Sequence, residues 1–221
     1  MELAYLVQRL AEQATPEPRT GRLRLPTERE QVASLAVSRG ALREQLSTLE
    51  MLGFVDRTQG RGSYLQVPDA GFMQLYFDLS HQLGHLTQPQ FAAARELLEV
   101  AVAEAAARLA TADDVDALRG IVDEMVRAGD AGDARAALDA DVAFHRRLVR
   151  VVDNPVFTLL HDGLSHVLHR ELVERRAAAG DSRAIDTVHY GIVDAVGERD
   201  GDGARLAMRR HFEVFAAIKG T

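Results

Sequence analysis

The stretch Leu25–Leu65, LPTEREQVASLAVSRGALREQLSTLEMLGFVDRTQGRGSYL, decides the fold of the first part of the chain. Thr27 is followed three residues later by Glu30, and this capping box predicts that a helix begins at Thr27. Ser38 is a candidate N-cap for a second helix, and Gly53 is placed to end that helix. The buried stripe of the second helix is expected to consist of Leu42, Leu46 and Leu49.

The residues after the second helix are typical of a β-hairpin. The segment FVDRTQGRGSYLQV alternates around Gly60 and Gly62, and Pro68 closes the unit. The preceding segment Thr15–Leu25 contains Pro16, Pro18 and Gly21 and is expected to be a loop. Helix, short turn, helix and hairpin together predict a winged helix-turn-helix, in which the second helix enters the major groove of DNA and the hairpin wing contacts the backbone or minor groove.

Composition limits the class of protein. The chain has 221 residues, of which 47% are hydrophobic and 27% charged, as in a folded protein. It has no cysteine, which excludes disulfides and thiolate metal sites and is consistent with a reducing cytoplasm. No apolar run approaches the roughly 20 residues of a membrane span, and the N-terminus lacks a signal-peptide pattern. We therefore expect a cytoplasmic protein with no membrane partner.

Charge divides the chain into two parts. Residues 1–68 have a net charge of +1, whereas residues 69–221 have a net charge of −8. Strand signals disappear after Ala70, and about seven helices are expected at 71–84, 88–110, 112–129, 131–152, 155–176, 182–199 and 202–219. The sequence thus predicts a mainly α protein: a winged helix-turn-helix domain over 1–68, joined to an all-α antiparallel helical bundle over 69–221.

Several residues of the first part are candidates for DNA contact. Arg39 and Arg43 lie four apart at the start of the second helix, so they share a face on which a guanidinium can pair with guanine. Ser38 and the first helical turn suit a phosphate, and glycine in the wing allows close approach to the backbone. The full candidate set is Arg29, Ser38, Arg39, Gly40, Arg43, Gln59, Gly60 and Arg61.

Polar residues interrupt three apolar stripes in the second part. Asp141 and His145 lie one turn apart on the buried face of one helix, and His189 and His211 lie on the buried faces of two later helices. Three imidazoles and one carboxylate are a suitable ligand set for a divalent metal ion. From the pattern alone, two alternatives stay open: a hydrogen-bonded Asp–His cluster without metal, and histidines that bind a ligand directly. His161, beside Leu160 and Leu164, is a candidate cavity-lining residue.

The quoted stretch resembles the winged helix-turn-helix of the GntR family of bacterial transcription regulators, in its LPTERE, VSRGALREQL and GFVDRTQGRGSYL segments. Gly40 departs from the Ser, Thr or Pro that is commoner at its place, which leaves the operator sequence open. Residues 71–221 resemble the FadR C-terminal ligand domain (FCD), in the segments RELLEVAVAEAAARLAT, DVAFHRRLVRVVDNP, HYGIVDAV and ARLAMRRHF.

This resemblance implies a metal site and an effector. It implies that Asp141, His145, His189 and His211 hold a divalent ion, with Zn²⁺ favoured and Ni²⁺ or Mn²⁺ as alternatives. It also implies that Arg95 pairs with an acidic effector; the alternative is an internal ion pair, for instance with Glu99.

The leading hypothesis is a ligand-responsive bacterial transcription regulator, with repression favoured over activation, and not an enzyme. A homodimer would bind a palindromic double-stranded DNA operator, and a small carboxylate effector would bind at the metal and Arg95. Two other hypotheses are a metal-dependent hydrolase that uses the His₃Asp site, and an architectural DNA-binding protein without an effector.

Overall fold

A computed structural model describes residues 2–58, 62–178 and 183–217 of the chain. The chain forms two compact units, Met1–Phe72 and Met73–Thr221. The sequence places the boundary between functional domains after residue 68, and the separate roles of the two parts stay a prediction. No helix in the described ranges is long and apolar enough to cross a membrane.

The first unit combines three helices with a small antiparallel sheet in its described part. Its elements are α1 (Leu3–Gln13), β1 (Thr15–Pro16), β2 (Leu23–Arg24), α2 (Glu28–Leu35), α3 (Arg39–Met51), β3 (Val55–Thr58) and β4 (Gly62–Leu65). The strand order is β1-β2-β4-β3. The predicted hairpin is formed by β3 and β4, in a register that pairs Val55 with Leu65 and Thr58 with Gly62.

Side-chain caps fix the residues at which the two helices of the helix-turn-helix begin. The backbone N–H of Thr27 donates to Oε2 of Glu30 at 2.8 Å, and the N–H of Glu30 donates to Oγ1 of Thr27 at 3.3 Å, so both halves of the capping box form. Oγ of Ser38 accepts from the N–H of Ala41 at 3.2 Å at the start of α3. The two helices are separated by a turn in which Ala36 is left-handed, with φ of 52°. The unit's apolar core contains Leu6, Leu10, Leu25, Leu42, Leu46, Leu49 and Val55.

The prediction of a loop at Thr15–Leu25 is partly wrong, because this segment contains the two short strands β1 and β2. β2 pairs with β4, placing Leu23 opposite Leu65, and β1 pairs with β2. The wing hairpin is therefore extended to a four-stranded sheet. Pro16 is compatible with this because β1 is an edge strand, where a residue without an N–H is tolerated.

The second unit is entirely helical where the structure describes it. Its helices are α4 (Gly71–Gln82), α5 (Gln88–Leu109), α6 (Ala112–Asp130), α7 (Ala134–Val151), α8 (Pro155–Ala178), α9 (Arg183–Thr187), α10 (His189–Gly197) and α11 (Gly201–Ala217); α4 begins two residues before the unit boundary. Ala103, Ala106 and Ala107 of α5 are fully buried, and their small side chains allow neighbouring helices to approach closely. Phe144 of α7 lies in the same core. These elements confirm the predicted fold class.

The single helix expected at 182–199 is instead divided into α9 and α10. Thr187 Oγ1 donates to the carbonyl oxygen of Arg183 at 2.8 Å, and Nδ1 of His189 lies 3.0 Å from the carbonyl oxygen of Asp186. Such side-chain bonds compete with the regular helical pattern. The break places His189 at the first residue of α10, where its ring is fully buried.

Candidate metal centre

Helix α7 supplies two of the four candidate ligands. Asp133 caps this helix by accepting from the N–H of Ala136 at 2.9 Å. Asp141 and His145 follow on its inward face and are 6% and 1% exposed. Phe144, fully buried beside them, meets the His145 ring nearly perpendicularly, with 5.4 Å between centroids. The helical spacing thus directs a carboxylate and an imidazole into one interior volume.

The other two candidate ligands come from α10 and α11. His189 and His211 are buried, and their ring centroids lie 4.4 Å apart. The ring of His145 is 5.5 Å from that of His189 and 4.8 Å from that of His211. One potential ligand atom from each of Asp141, His145, His189 and His211 lies within 4.8 Å of all the others. The structure therefore brings together all four residues singled out in the sequence.

At least one nitrogen of each of the three imidazoles lacks an aligned hydrogen-bond partner in the described part of the chain. Within the described residues, no aligned partner is present for Nε2 of His145, Nε2 of His189 or Nδ1 of His211, and all three atoms are buried. The nearest oxygen, Oδ1 of Asp141, lies 3.2 Å from Nε2 of His189 and 3.9 Å from Nε2 of His145. Buried polar atoms are normally satisfied. Three unsatisfied imidazole nitrogens around one carboxylate therefore fit a divalent metal ion.

Contacts on the far side of two rings set their orientation. Nδ1 of His145 lies 2.7 Å from Oε2 of Glu99, in a close contact that is not aligned as a hydrogen bond, and Nδ1 of His189 lies 3.0 Å from the carbonyl oxygen of Asp186. An N–H at each Nδ1 leaves the lone pair at Nε2, which is the atom that faces the cluster. Metal-binding histidines usually have an outer contact of this kind. The role of Glu99 was missed from the sequence, although its i+4 spacing from Arg95 on the same face was a signal.

Arg95 is buried between two carboxylates. Its Nε donates to Oε1 of Glu99 at 2.7 Å, and its Nη2 lies 3.9 Å from Oδ2 of Asp141. The guanidinium also lies 5.7 Å from the ring centroid of Phe212. The structure thus contains the internal ion pair between Arg95 and Glu99 that was the alternative to effector binding. A direct contact between Arg95 and an effector stays a prediction.

Electrostatics favour ionised carboxylates at Asp141 and Glu99 and neutral imidazoles at His145 and His211. Burial alone would raise the pKa of Asp141, but the close approach of His189 and the neighbouring imidazoles of His145 and His211 lower it. Burial would likewise raise the pKa of Glu99, which Arg95 and His145 hold well below its usual range. Burial lowers the pKa of His145, and burial with the two neighbouring imidazoles lowers that of His211 well below its usual range. These protonation states are the ones that metal binding requires.

The candidate DNA contacts lie at the surface of the first unit. Arg29, Arg39, Gly40 and Arg43 are exposed, and the hydroxyl of Ser38 is used to cap α3. Nε of Arg43 pairs with Oε2 of Glu28 at 2.8 Å, an interaction that was not predicted from the sequence. The expected wing tip, Gln59, Gly60 and Arg61, lies outside the described residues.

Comparisons with known proteins agree with this architecture. Residues 90–214 match the FCD domain family. The chain is 30% identical over 230 residues to a protein of Cronobacter sakazakii named HTH-type transcriptional repressor NanR, covering 97% of this chain and 82% of that protein. It is 27% identical over 203 residues to the protein of the same name from Escherichia coli K12, covering 87% of this chain and 74% of that protein.

Solved structures show the same fold. Streptococcus agalactiae GntR superposes with a TM-score of 0.69 at 23% identity, covering 99% of this chain and 98% of that chain. E. coli McbR/YncC superposes with a TM-score of 0.56 at 18% identity, covering 99% of this chain and 97% of that chain. The FCD match extends over more than half of the sequence, and the curated relatives are transcription regulators. The chain therefore belongs to the GntR family, as a transcription regulator with an FCD domain and not an enzyme.

Proposed function

We propose that this chain is a transcriptional repressor whose DNA binding is controlled by a divalent metal ion and a small carboxylate effector. The observation that carries the proposal is the convergence of Asp141, His145, His189 and His211, with three imidazole nitrogens buried and unpaired. The two curated relatives are named repressors, which favours repression over activation. A metal site in a chain that also contains a DNA-binding unit would then act as a sensor.

The ligand set is best suited to Zn²⁺. Three imidazoles and one carboxylate provide a nitrogen-rich, four-ligand site, and Ni²⁺ or Mn²⁺ are alternatives. The bound ion would supply a coordination position for an oxygen ligand. Glu99 and the carbonyl oxygen of Asp186 would hold the His145 and His189 rings in the orientation that presents Nε2.

The charge of the cluster supports an anionic effector. With neutral imidazoles, Asp141, Glu99 and Arg95 give the buried group a formal charge of −1. A divalent ion changes that charge to +1, and a single carboxylate then compensates it. Arg95 would contact this carboxylate only by weakening its pairing with Glu99 or Asp141. An effector that binds one arrangement of the protein better than another shifts the population and so changes DNA affinity.

The DNA complex would use α3 in the major groove. Arg39 and Arg43 would approach base edges, with Arg29 nearby on α2 and Gln59, Gly60 and Arg61 in the wing. Ser38, Gly40 and the backbone N–H groups at the start of α3 would lie near a phosphate. A homodimer would match the two-fold symmetry of a short palindromic operator.

Metal content tests the proposal directly. The purified full-length chain is expected to contain one divalent ion per chain by elemental analysis, and the triple variant His145→Ala, His189→Ala, His211→Ala is expected to contain none. His85→Ala is the matched control, since this histidine is exposed. Equal metal content in the wild type and the triple variant would overturn the metal centre and favour an architectural DNA-binding protein.

Effector control is tested on the metal-loaded protein. An operator is first selected from a random duplex pool, and its affinity is then measured across a panel of small carboxylates. At least one carboxylate is expected to weaken operator binding in the wild type and to have no effect on the triple variant. Unchanged affinity across the whole panel would overturn the effector part of the proposal and leave the metal result standing.

A further inference from the structure

A cavity lies in the helical unit, apart from the candidate metal centre. Its volume is about 900 Å³, within the range of sites that bind small molecules. Among the described residues, neither Arg95 nor any of the four candidate metal ligands lines it. Its walls come from α4, α5, α7 and α8, and they include the buried polar side chains of His161 and Ser165. A cavity with buried polar groups in its wall is suited to a hydrogen-bonding ligand.

The charges around this cavity disfavour an anion. Arg146 is already paired with Asp162, with 2.8 Å between Nη2 and Oδ2. Oδ2 of Asp78 lies 3.0 Å from Nε2 of His166 and adds a second carboxylate. The guanidinium and carboxylate groups of the described lining therefore have one more negative than positive charge. Against the effect of burial, contacts with Asp162 and Glu99 raise the pKa of His161, so a charge on this imidazole is compensated by those two carboxylates. A carboxylate or phosphate would find no uncompensated cation here.

The remaining polar groups fit hydroxyls. Three amides line the cavity, namely those of Gln74, Gln82 and Gln88. Each amide offers both donors and an acceptor, and the hydroxyl of Ser165 does so as well. Adjacent hydroxyls of a polyol also donate and accept, so they can satisfy such a lining without introducing charge.

A chain of contacts joins this cavity to the candidate metal centre. Nε2 of His161 lies 3.4 Å from Oγ of Ser165 and 3.4 Å from Oε1 of Glu99. The other carboxylate oxygen of Glu99 lies 2.7 Å from Nδ1 of His145. A ligand hydroxyl that bonds to His161 therefore competes with the contact between His161 and Glu99, and one that bonds to Ser165 competes with the contact between Ser165 and His161. Glu99 in turn orients a candidate metal ligand.

We propose that this cavity binds a neutral, hydroxyl-rich small molecule, and that its occupancy changes metal affinity through His161 and Glu99. The coupling rests on the proposed metal centre, whereas binding in the cavity does not. The effector carboxylate and the polyol would then occupy different places in the same unit, and each would influence the cluster around His145.

Two probes of equal carbon number test the ligand class. Sorbitol is neutral and gluconate carries a carboxylate, and both are titrated by calorimetry into the metal-free full-length protein. Thermal midpoints are not suitable, because polyols stabilise proteins generally by exclusion from their surface. Sorbitol is expected to bind and gluconate to bind more weakly. Absence of sorbitol binding, or preference for gluconate, would overturn the proposed site.

Variants locate the binding and test the coupling. Ser165→Ala and Gln82→Leu are expected to weaken sorbitol binding, whereas Ser34→Ala, a serine of the other unit, is expected to leave it unchanged. Equal weakening by Ser34→Ala, or none by either cavity variant, would overturn the location. Metal affinity is measured by chelator competition with and without sorbitol, and a change of about 5-fold or more is expected.

His161→Gln is expected to abolish the effect of sorbitol on metal affinity. Sorbitol binding with no change in the metal affinity of the wild type would overturn the coupling and leave the ligand site in place. Absence of metal binding by the wild type would overturn the proposed metal centre, and with it the coupling, while the calorimetric result on the metal-free protein would still decide the cavity.

Discussion

Oε2 of Glu28 lies 2.8 Å from Nε of Arg43, so the first residue of α2 holds a guanidinium on the surface of α3 that we propose contacts DNA. The other oxygen of the same carboxylate lies 3.4 Å from Nη2 of Arg57 on β3. Glu28 therefore restrains two arginines from two elements. In a DNA complex, a carboxylate in this position would compete with phosphates for both cations, and this competition would disfavour binding to DNA of arbitrary sequence.

Removing the charge of Glu28 should make DNA binding less selective. Glu28→Gln is expected to raise the affinity for a random-sequence duplex, because Arg43 becomes available to phosphates, whereas Arg57 keeps its pairing with Glu50. The slope of log affinity against log salt should steepen by about 0.9 for each arginine that gains a phosphate. Fluorescence anisotropy at several salt concentrations measures both quantities.

Glu44→Gln is the matched control for this change. Glu44 is exposed on α3, and its substitution alters the net charge by the same amount. The slope of log affinity against log salt should differ clearly between the Glu28→Gln and Glu44→Gln variants. If both raise the random-duplex affinity equally and with equal slopes, the effect is one of net charge, and the restraint by Glu28 plays no part.

Glu99 should be needed for tight metal binding although it does not lie among the four candidate ligands. Glu99→Gln weakens the contact that orients His145 and is expected to lower metal affinity about 10- to 100-fold. Chelator competition measures the affinity, and circular dichroism checks that the helices are intact. Glu96→Gln, an exposed position on the same helix, should leave the affinity unchanged. Wild-type affinity in Glu99→Gln would show that this contact does not support the site.

Phe144 should contribute to both stability and the geometry of the site. It is fully buried, and its ring lies 5.4 Å from the ring of His145 and 4.9 Å from that of His189. Phe144→Ala is expected to lower the free energy of unfolding by about 3–5 kcal/mol, because it leaves a cavity in a packed core. Urea denaturation of the metal-free protein measures this loss. Phe144→Leu should cost less, and an equal loss in both variants would argue against a cavity effect.

Local signals were sufficient for much of the fold and for the four candidate ligands. The capping box of Thr27 and Glu30 and the spacing of Asp141 and His145 depend on neighbours within one helical turn, so they can be read from a single sequence. The pairing of β2 with β4 joins segments about forty residues apart and left no local signal.

The outer contacts of the site were harder to predict for a related reason. Glu99 meets His145 only because α5 and α7 pack together, and the break before His189 depends on side-chain bonds to carbonyl oxygens. The link from His161 to Glu99 likewise requires α8 to pack on α5. Helical periodicity indicates which face is buried, but it does not indicate which buried residues will meet.

Acid should weaken the start of α6 through Asp114. The hydroxyl and N–H of Thr111 donate to this carboxylate at 2.7 and 3.0 Å, and Nη2 of Arg147 donates at 2.6 Å. The hydrogen bonds from Thr111 and the charge of Arg147 lower the pKa of Asp114 below its usual value of 3.8. Because the pKa is lower in the folded state, the carboxylate stabilises the fold above about pH 4. That contribution is lost as the pH falls through the lowered value.

Asp114→Asn is therefore expected to be less stable than the wild type at neutral pH and to lose less stability in acid. Urea denaturation between neutral and acidic pH measures both, with Asp113→Asn in the same helical turn as control. Parallel pH profiles for Asp114→Asn and the wild type would contradict this assignment.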